Sequence, residues 1–204
     1  METQTIPQYV KYGSPIKYGV AGVPHFRGIV KQKRNSSTDF LQAMGDLIDN
    51  PLNLCKNIIV TFLTRNQEIY EIHISDNCST GMENILKNGS ENPLNLAHVN
   101  SNQDDDNYTS TYGHGAKNSI IWSCSVCEIY TKIKEGYYLV KMDINKMVRE
   151  TNPEKSYNTD SPIEISKEQY ENNHINGFKN GTSIKLKDLE ECAKLSFNNL
   201  SDLA

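Results

Sequence analysis

Asp39-Phe-Leu-Gln-Ala-Met-Gly-Asp-Leu-Ile-Asp-Asn50 is the stretch on which the reading of this chain turns. Ser37, Thr38 and Asp39 offer N-cap oxygens just before it, so a helix is expected to start here. At about 100° per residue, Phe40, Leu41, Met44, Leu47 and Ile48 gather on one side, and Asp46, Asp49, Asn50 and Asn53 on the other. Pro51 is expected to kink the helix or end its regular part, because it has no N–H to donate. Asp46 and Asn50 are four residues apart, which sets their side chains on one face about 6 Å from each other. Taken alone, such a polar face most often belongs to an ordinary surface helix. Its weight comes from the segments that follow.

Downstream, Ile58–Leu63 and Ile69–Ser75 are rich in β-formers and predict two strands joined by a hairpin turn at Thr64–Glu68. The second strand delivers Asp76 at its end, within Ile74-Ser-Asp-Asn-Cys-Ser-Thr-Gly-Met82. A short helix is expected over Met82–Lys87. Residues 88–112 are polar and weakly periodic apart from a turn at Leu94–Val99; a loop this long in a compact domain points to function or disorder, and it is read as a lid. Gly113–Ser125 predicts a buried helix, and Val126–Ile133 with Tyr137–Ile144 a hairpin turning at Glu135–Gly136. From 145 to 180 the chain reads mostly as loop, with one short strand at Ile163–Ile165. A strand at Thr182–Leu186 and a helical segment at Leu189–Leu195 close the pattern. Residues 1–35, punctuated by Pro7, Gly13, Pro15, Gly19, Gly22, Pro24 and Gly28, read as an irregular arm whose basic end, Lys31–Arg34, is a solvated loop. Helices and antiparallel strands in blocks predict an α+β two-layer sandwich: a mixed, mostly antiparallel sheet covered by helices on one face. The domain is expected to span 36–195, leaving a tail at 196–204.

Bulk composition narrows the function classes. The 204 residues fit one domain with a sizeable core. Twenty-one Lys and Arg against 25 Asp and Glu give a net charge of −4, so gripping a nucleic-acid backbone is not the expected work of this domain. The five cysteines are an odd number at low density and read as reduced thiols. Cys124-Ser-Val-Cys127 lacks the second pair that a zinc site requires. The N-terminus has no signal-peptide layout and no apolar run reaches membrane-spanning length, which leads to the expectation of an intracellular protein, cytoplasmic or nuclear. The motifs of zinc proteases, of serine hydrolases with a nucleophile elbow, and of P-loop enzymes do not occur.

Three segments carry chemistry. Asn50 offers a neutral oxygen to a hard cation such as magnesium, and Asp46, one turn back, could orient and deprotonate a water. Asp76 could accept a hydrogen bond from an exocyclic amine such as adenine N6, with Gly81 allowing backbone to come close; the plain alternative is an Asx turn ending a strand. Gly113-His-Gly-Ala-Lys117 has the glycines, the free helix-start amides and the cation of an anion cradle, though a helix entry turn alone would need no more.

In this order and spacing the segments resemble the GHKL, or Bergerat-fold, ATPases: gyrase-type topoisomerases, heat-shock chaperone ATPases, MutL, MORC proteins and histidine kinases. Asp46-Leu-Ile-Asp-Asn50 is similar to their first box, the segment from Asp76 to Met82 to the second, Tyr112-Gly-His-Gly-Ala-Lys-Asn-Ser119 to the glycine box, and Asn180–Leu189 to the closing strand. The resemblance implies a catalytic base at Asp46, a magnesium ligand at Asn50, and adenine read by Asp76 with Thr182 beside it. It places Gly81 and the adjoining Met82 at the adenine pocket, and Gly113, His114, Gly115, Ala116 and Lys117 at the phosphate-facing turn. It further implies ATP and Mg2+ as cofactors, a lid ordered by ATP, and homodimerisation or docking of a protein client; the lack of a long apolar run and the acidic balance lead to the expectation of no membrane and no direct nucleic-acid contact.

Three positions depart from the family pattern. Asp46 stands where a glutamate is usual, one methylene shorter; Cys78 stands at an expected glycine; and Ser110 stands at the leading glycine of the third box. The first implies slow hydrolysis, since a misplacement of about 1 Å can cost about a hundredfold in rate. The alternatives are a catalytically weak, nucleotide-gated interaction switch, or the N-terminal ATPase head of a topoisomerase II-like or MORC-like DNA-processing protein. The glycine box resembles both of those branches. The expectation is also of a chain that ends before the transducer-type domain that follows in several of them.

Overall fold

A computed structural model describes residues 26–52, 54–87, 92–94, 115–152, 156, 159–174 and 178–201. Its spine is a six-stranded sheet: β1 (Ile58–Arg65), β2 (Glu68–Asp76), β3 (Cys124–Ile133), β4 (Gly136–Asp143), β5 (Ile163–Glu164) and β6 (Gly181–Leu189). Their spatial order is β1-β2-β6-β3-β4-β5, and each neighbouring pair is antiparallel. The expected α+β sandwich is the observed architecture. The first hairpin turns on Asn66 and Gln67, both at positive φ, the two-residue geometry whose twist matches that of the strands it joins. The last strand, β6, inserts between β2 and β3. That insertion sets Thr182 beside the end of β2, where Asp76 sits.

Alternation along the strands splits the sheet into two faces. Ile72, Ile74, Ile129 and Leu186 point to one face and are buried in the core. Helices α1 (Phe26–Arg34), α2 (Phe40–Leu52), α3 (Gly115–Ser123) and, at the C-terminal end, α6 (Glu191–Ser201) contribute Phe26, Val30, Phe40, Met44, Leu47, Ile120, Ile121 and Ala193 to that same core. The other face carries Glu71, His73, Glu128, Lys185 and Lys187. There Glu71 meets His73 at 2.7 Å and Lys187 meets Glu128 at 2.7 Å.

Helix α2 begins where expected. The Asp39 carboxylate accepts from the Gln42 amide at 2.8 Å, and the helix runs through Pro51 to Leu52 rather than ending before it. The Pro51 carbonyl then accepts from the Leu54 and Cys55 amides, closing the last turn.

Three stretches differ from expectation. Residues 26–34, read as the end of an irregular arm, form α1, whose Phe26 and Val30 are one turn apart and buried. The glycines and prolines upstream masked this short i, i+4 apolar pair. Arg34, read as part of a solvated loop, instead donates to the Ile121 and Cys124 carbonyls and pairs with Glu190 at 2.7 Å. In the region read mostly as loop lie α4 (Ile144–Arg149), N-capped by Asp143, and α5 (Lys167–Asn173), opened by a Ser166–Gln169 capping box. Finally, the expected helix at Met82–Lys87 is a single 3-10 turn, Glu83–Leu86.

Candidate nucleotide site

The site is assembled around the C-terminal half of α2. Asp46 is half-buried. Its Oδ2 accepts from the Ser119 hydroxyl at 2.8 Å, one turn into α3. A Cβ on Gly115 would meet the Asp46 Cγ at 3.4 Å, so the first residue of α3 lies directly against this carboxylate. A negative charge at a helix N-terminus faces unpaired amides and is favoured there. Asn50 is exposed, and its Nδ2 donates to the Asp46 carbonyl at 2.9 Å. That bond commits the amide nitrogen and leaves Oδ1 as a neutral oxygen donor.

Asp76 is buried at the end of β2. Its Oδ1 accepts from the Cys78 amide at 2.9 Å and from the Thr182 amide at 3.2 Å. Two amides on one oxygen hold the carboxylate in a single orientation, with Oδ2 outside this pairing. The close approach of β6 to Asp76 depends on Gly181, which has φ +118°, and a Cβ there would lie 2.0 Å from the Asp76 carbonyl oxygen. Tyr170 on α5 fixes the same spot from behind by donating to the Gly181 carbonyl at 3.1 Å, and burial raises its phenol above the usual range.

Beside Asp76 runs a short hydroxyl chain. Thr131 and Thr182 hydroxyls are 2.9 Å apart, and the Thr131 Oγ1 accepts from the Met82 amide at 2.9 Å. Gly81, at φ +60°, allows this: a Cβ there would lie 2.1 Å from the Lys132 carbonyl oxygen. The close approach Gly81 permits is therefore to β3. The Asp76 group and the α2 group meet through Cys78, whose Sγ is 3.9 Å from the Pro51 carbonyl. Burial, reinforced by the Asp76 charge, pushes the Cys78 thiol well up.

Lys117 lies in the first turn of α3 and is buried, with 2% of its surface exposed. Burial lowers its ammonium to about 8.

The arrangement thus offers a fixed carboxylate beside hydroxyls at one end, and a carboxylate, an exposed carboxamide and a helix-start lysine at the other. The family model for the "Histidine kinase-, DNA gyrase B-, and HSP90-like ATPase" matches residues 38–193. The chain belongs to this ATPase family. Membership carries ATP binding as a general property, and the match covers every segment of the site described above. No curated protein is a match to the chain.

Of the site residues expected from sequence, Asp76 and Thr182 share a hydrogen bond, Met82 joins them through Thr131, and Gly81 packs alongside. Asp46, Asn50 and Gly115 form the second group, with Ala116 and Lys117 on the same turn of α3. Gly113 and His114 lie outside the described residues, as does the expected lid apart from Asn92–Leu94. Sequence reading missed Ser119, Thr131 and Tyr170. Ser119 stands one helical turn after Gly115, and Thr131 lies opposite Thr182 in the sheet register, but both signals need a known partner before they can be read.

The Cys124–Cys127 pair is fully buried in the core with both thiols free, and burial raises both well above the usual thiol range. Among the described residues no helix is long and apolar enough to cross a membrane.

Proposed function

We propose that the domain binds Mg-ATP along α2 and hydrolyses it slowly. The observation that carries the reading is the Asp76 carboxylate, buried and aimed by two backbone amides on a single oxygen. Such a group suits recognition of an amine on a flat base, because an acceptor fixed in place loses little entropy on binding. The Thr182 and Thr131 hydroxyls stand beside it to complete the base edge, directly or through water.

The triphosphate lies towards the start of α3, near the helix-start amides and Lys117. The residues present fit magnesium: Asn50 Oδ1 supplies one oxygen, and the ion habitually takes only one or two from protein and the rest from phosphate and water. When bound, the ion neutralises charge on the phosphate oxygens. Asp46 is the base. Its Oδ2 is tied to Ser119, and Oδ1 is left to orient a water and take its proton. In the same reading, residues 88–112 close over the nucleotide and promote dimerisation or docking of a client. Hydrogen exchange across them with and without a non-hydrolysable ATP analogue tests that part.

A second reading is a nucleotide-gated switch in which chemistry is vestigial. What favours it is the short Asp46 side chain already engaged by Ser119. Phosphate release from wild type and Asp46→Asn decides between them. A wild-type rate above background, lost in Asp46→Asn while ATP still binds, supports the enzyme; equal background rates with intact binding support the switch.

A further inference from the structure

Asp76 also belongs to a second cluster, whose two thiols the proposed nucleotide binding does not use. The Cys55 Sγ, the Cys78 Sγ and a carboxylate oxygen of Asp76 all lie within 4.8 Å of one another. They come from the turn after α2 and from the end of β2 with the residues that follow it, and the structure holds the two segments in register. Asn77 Oδ1 accepts from the Lys56 amide at 3.1 Å and from the Asn57 amide at 2.9 Å, and the Asn77 amide donates back to the Asn57 carbonyl at 3.2 Å. The Pro51 carbonyl adds a second tie, since it accepts from the Cys55 amide at 3.0 Å and faces Cys78 Sγ. Asp76 and Cys78 are buried and Cys55 is half-buried, so the cluster opens to solvent on the Cys55 side.

Two sulfurs and one oxygen form a borderline-soft donor set, matched to zinc and poorly matched to magnesium. Tetrahedral zinc with Zn–S bonds of about 2.3 Å sets its two sulfurs about 3.8 Å apart. The cluster therefore has to contract by up to about 1 Å, and Cys55, in the turn just after α2, is the member placed to move. Water on the open side completes four ligands.

We infer that Cys55, Asp76 and Cys78 form a binding site for a thiophilic divalent cation of the zinc class. Occupying it excludes ATP. The metal takes the Asp76 carboxylate and neutralises the charge offered to the base. The exclusion, unlike the metal site itself, rests on Asp76 being the base anchor.

Cobalt(II) and zinc titrations of the reduced, metal-free full chain test both halves. One equivalent of cobalt should give thiolate-to-metal absorption that zinc displaces. Cys55→Ser should weaken binding by more than the roughly 10–100-fold typical of losing an outer-sphere partner, while Cys192→Ser leaves it unchanged. Absence of the thiolate band, or the same band in Cys55→Ser, overturns the site. One equivalent of zinc should then abolish the ATP-induced rise in melting temperature in wild type and spare it in Cys55→Ser, a control that also corrects for zinc chelation by ATP. If zinc binds through Cys55 yet ATP still raises the melting temperature, the exclusion is overturned and the metal site stands. If ATP produces no rise even without zinc, the nucleotide reading fails, and the cobalt band still decides the metal site.

Discussion

In the proposed reading, Asp76 is the residue at which recognition can be separated from folding. Asp76→Asn keeps an oxygen to accept from the Cys78 and Thr182 amides but replaces Oδ2 with an NH2 that opposes an amine on the base. ATP affinity should fall at least about a hundredfold, since a buried donor set against a donor costs about 3 kcal/mol, while the melting temperature without ligand stays within a few degrees. Equilibrium binding alongside a thermal melt checks both halves. Lys117 makes a different prediction, about pH. Its ammonium, brought down to about 8 by burial, is charged below that value and neutral above it. ATP affinity should therefore be highest below pH 8 and decline as pH rises through it, whereas adenosine affinity stays flat. Lys117→Met should weaken ATP more than adenosine and flatten the pH profile. At this scale the sequence singled out residues with one dominant chemistry, as with Asp76 and Asn50. It was not legible for Ser119 or Thr131, ordinary hydroxyls whose roles exist only because α3 meets α2 and β3 meets β6.

Among the elements, β6 is the one that brings the site together. By entering between β2 and β3 it lays Gly181 against the backbone of Asp76 with no room for a side chain. Gly181→Ala should destabilise the fold by about 2–4 kcal/mol, from a strained positive φ and a forced shift of backbone, and should weaken ATP binding in proportion to the displacement of Asp76. Thermal unfolding and ATP titration of that variant check the two effects separately. The long strands and α2 were readable because their apolar spacing persists over many residues. The short helices α4 and α5 were not, although their caps, Asp143 and the Ser166–Gln169 box, are written in the sequence. A cap without a long periodic stretch behind it is a weak local signal.

For the molecule as a whole, α1 is the structural surprise, because it ties residues read as an arm into the core. Arg34 links α1 to the Ile121 carbonyl near the end of α3, to the Cys124 carbonyl at the start of β3, and to Glu190 just before α6. This partly buried, charge-assisted contact is worth about 1.5–3 kcal/mol, so Arg34→Ala should lower the melting temperature by several degrees, with ATP affinity nearly unchanged. A thermal melt of that variant with and without ligand checks it. Long-range contacts of this kind are invisible to local periodicity, whereas the order of the four motifs and the family match over residues 38–193 converge on one architecture. In the proposed reading this domain holds Mg-ATP through Asp76. Its most direct measurement is the melting temperature with and without saturating Mg-ATP. Ligand at about a hundred times its dissociation constant contributes about 2.7 kcal/mol, and a domain of this size should gain roughly 5–10 °C. Wild type should show that gain and Asp76→Asn should lose it. No shift in wild type, or an equal shift in both proteins, would contradict it.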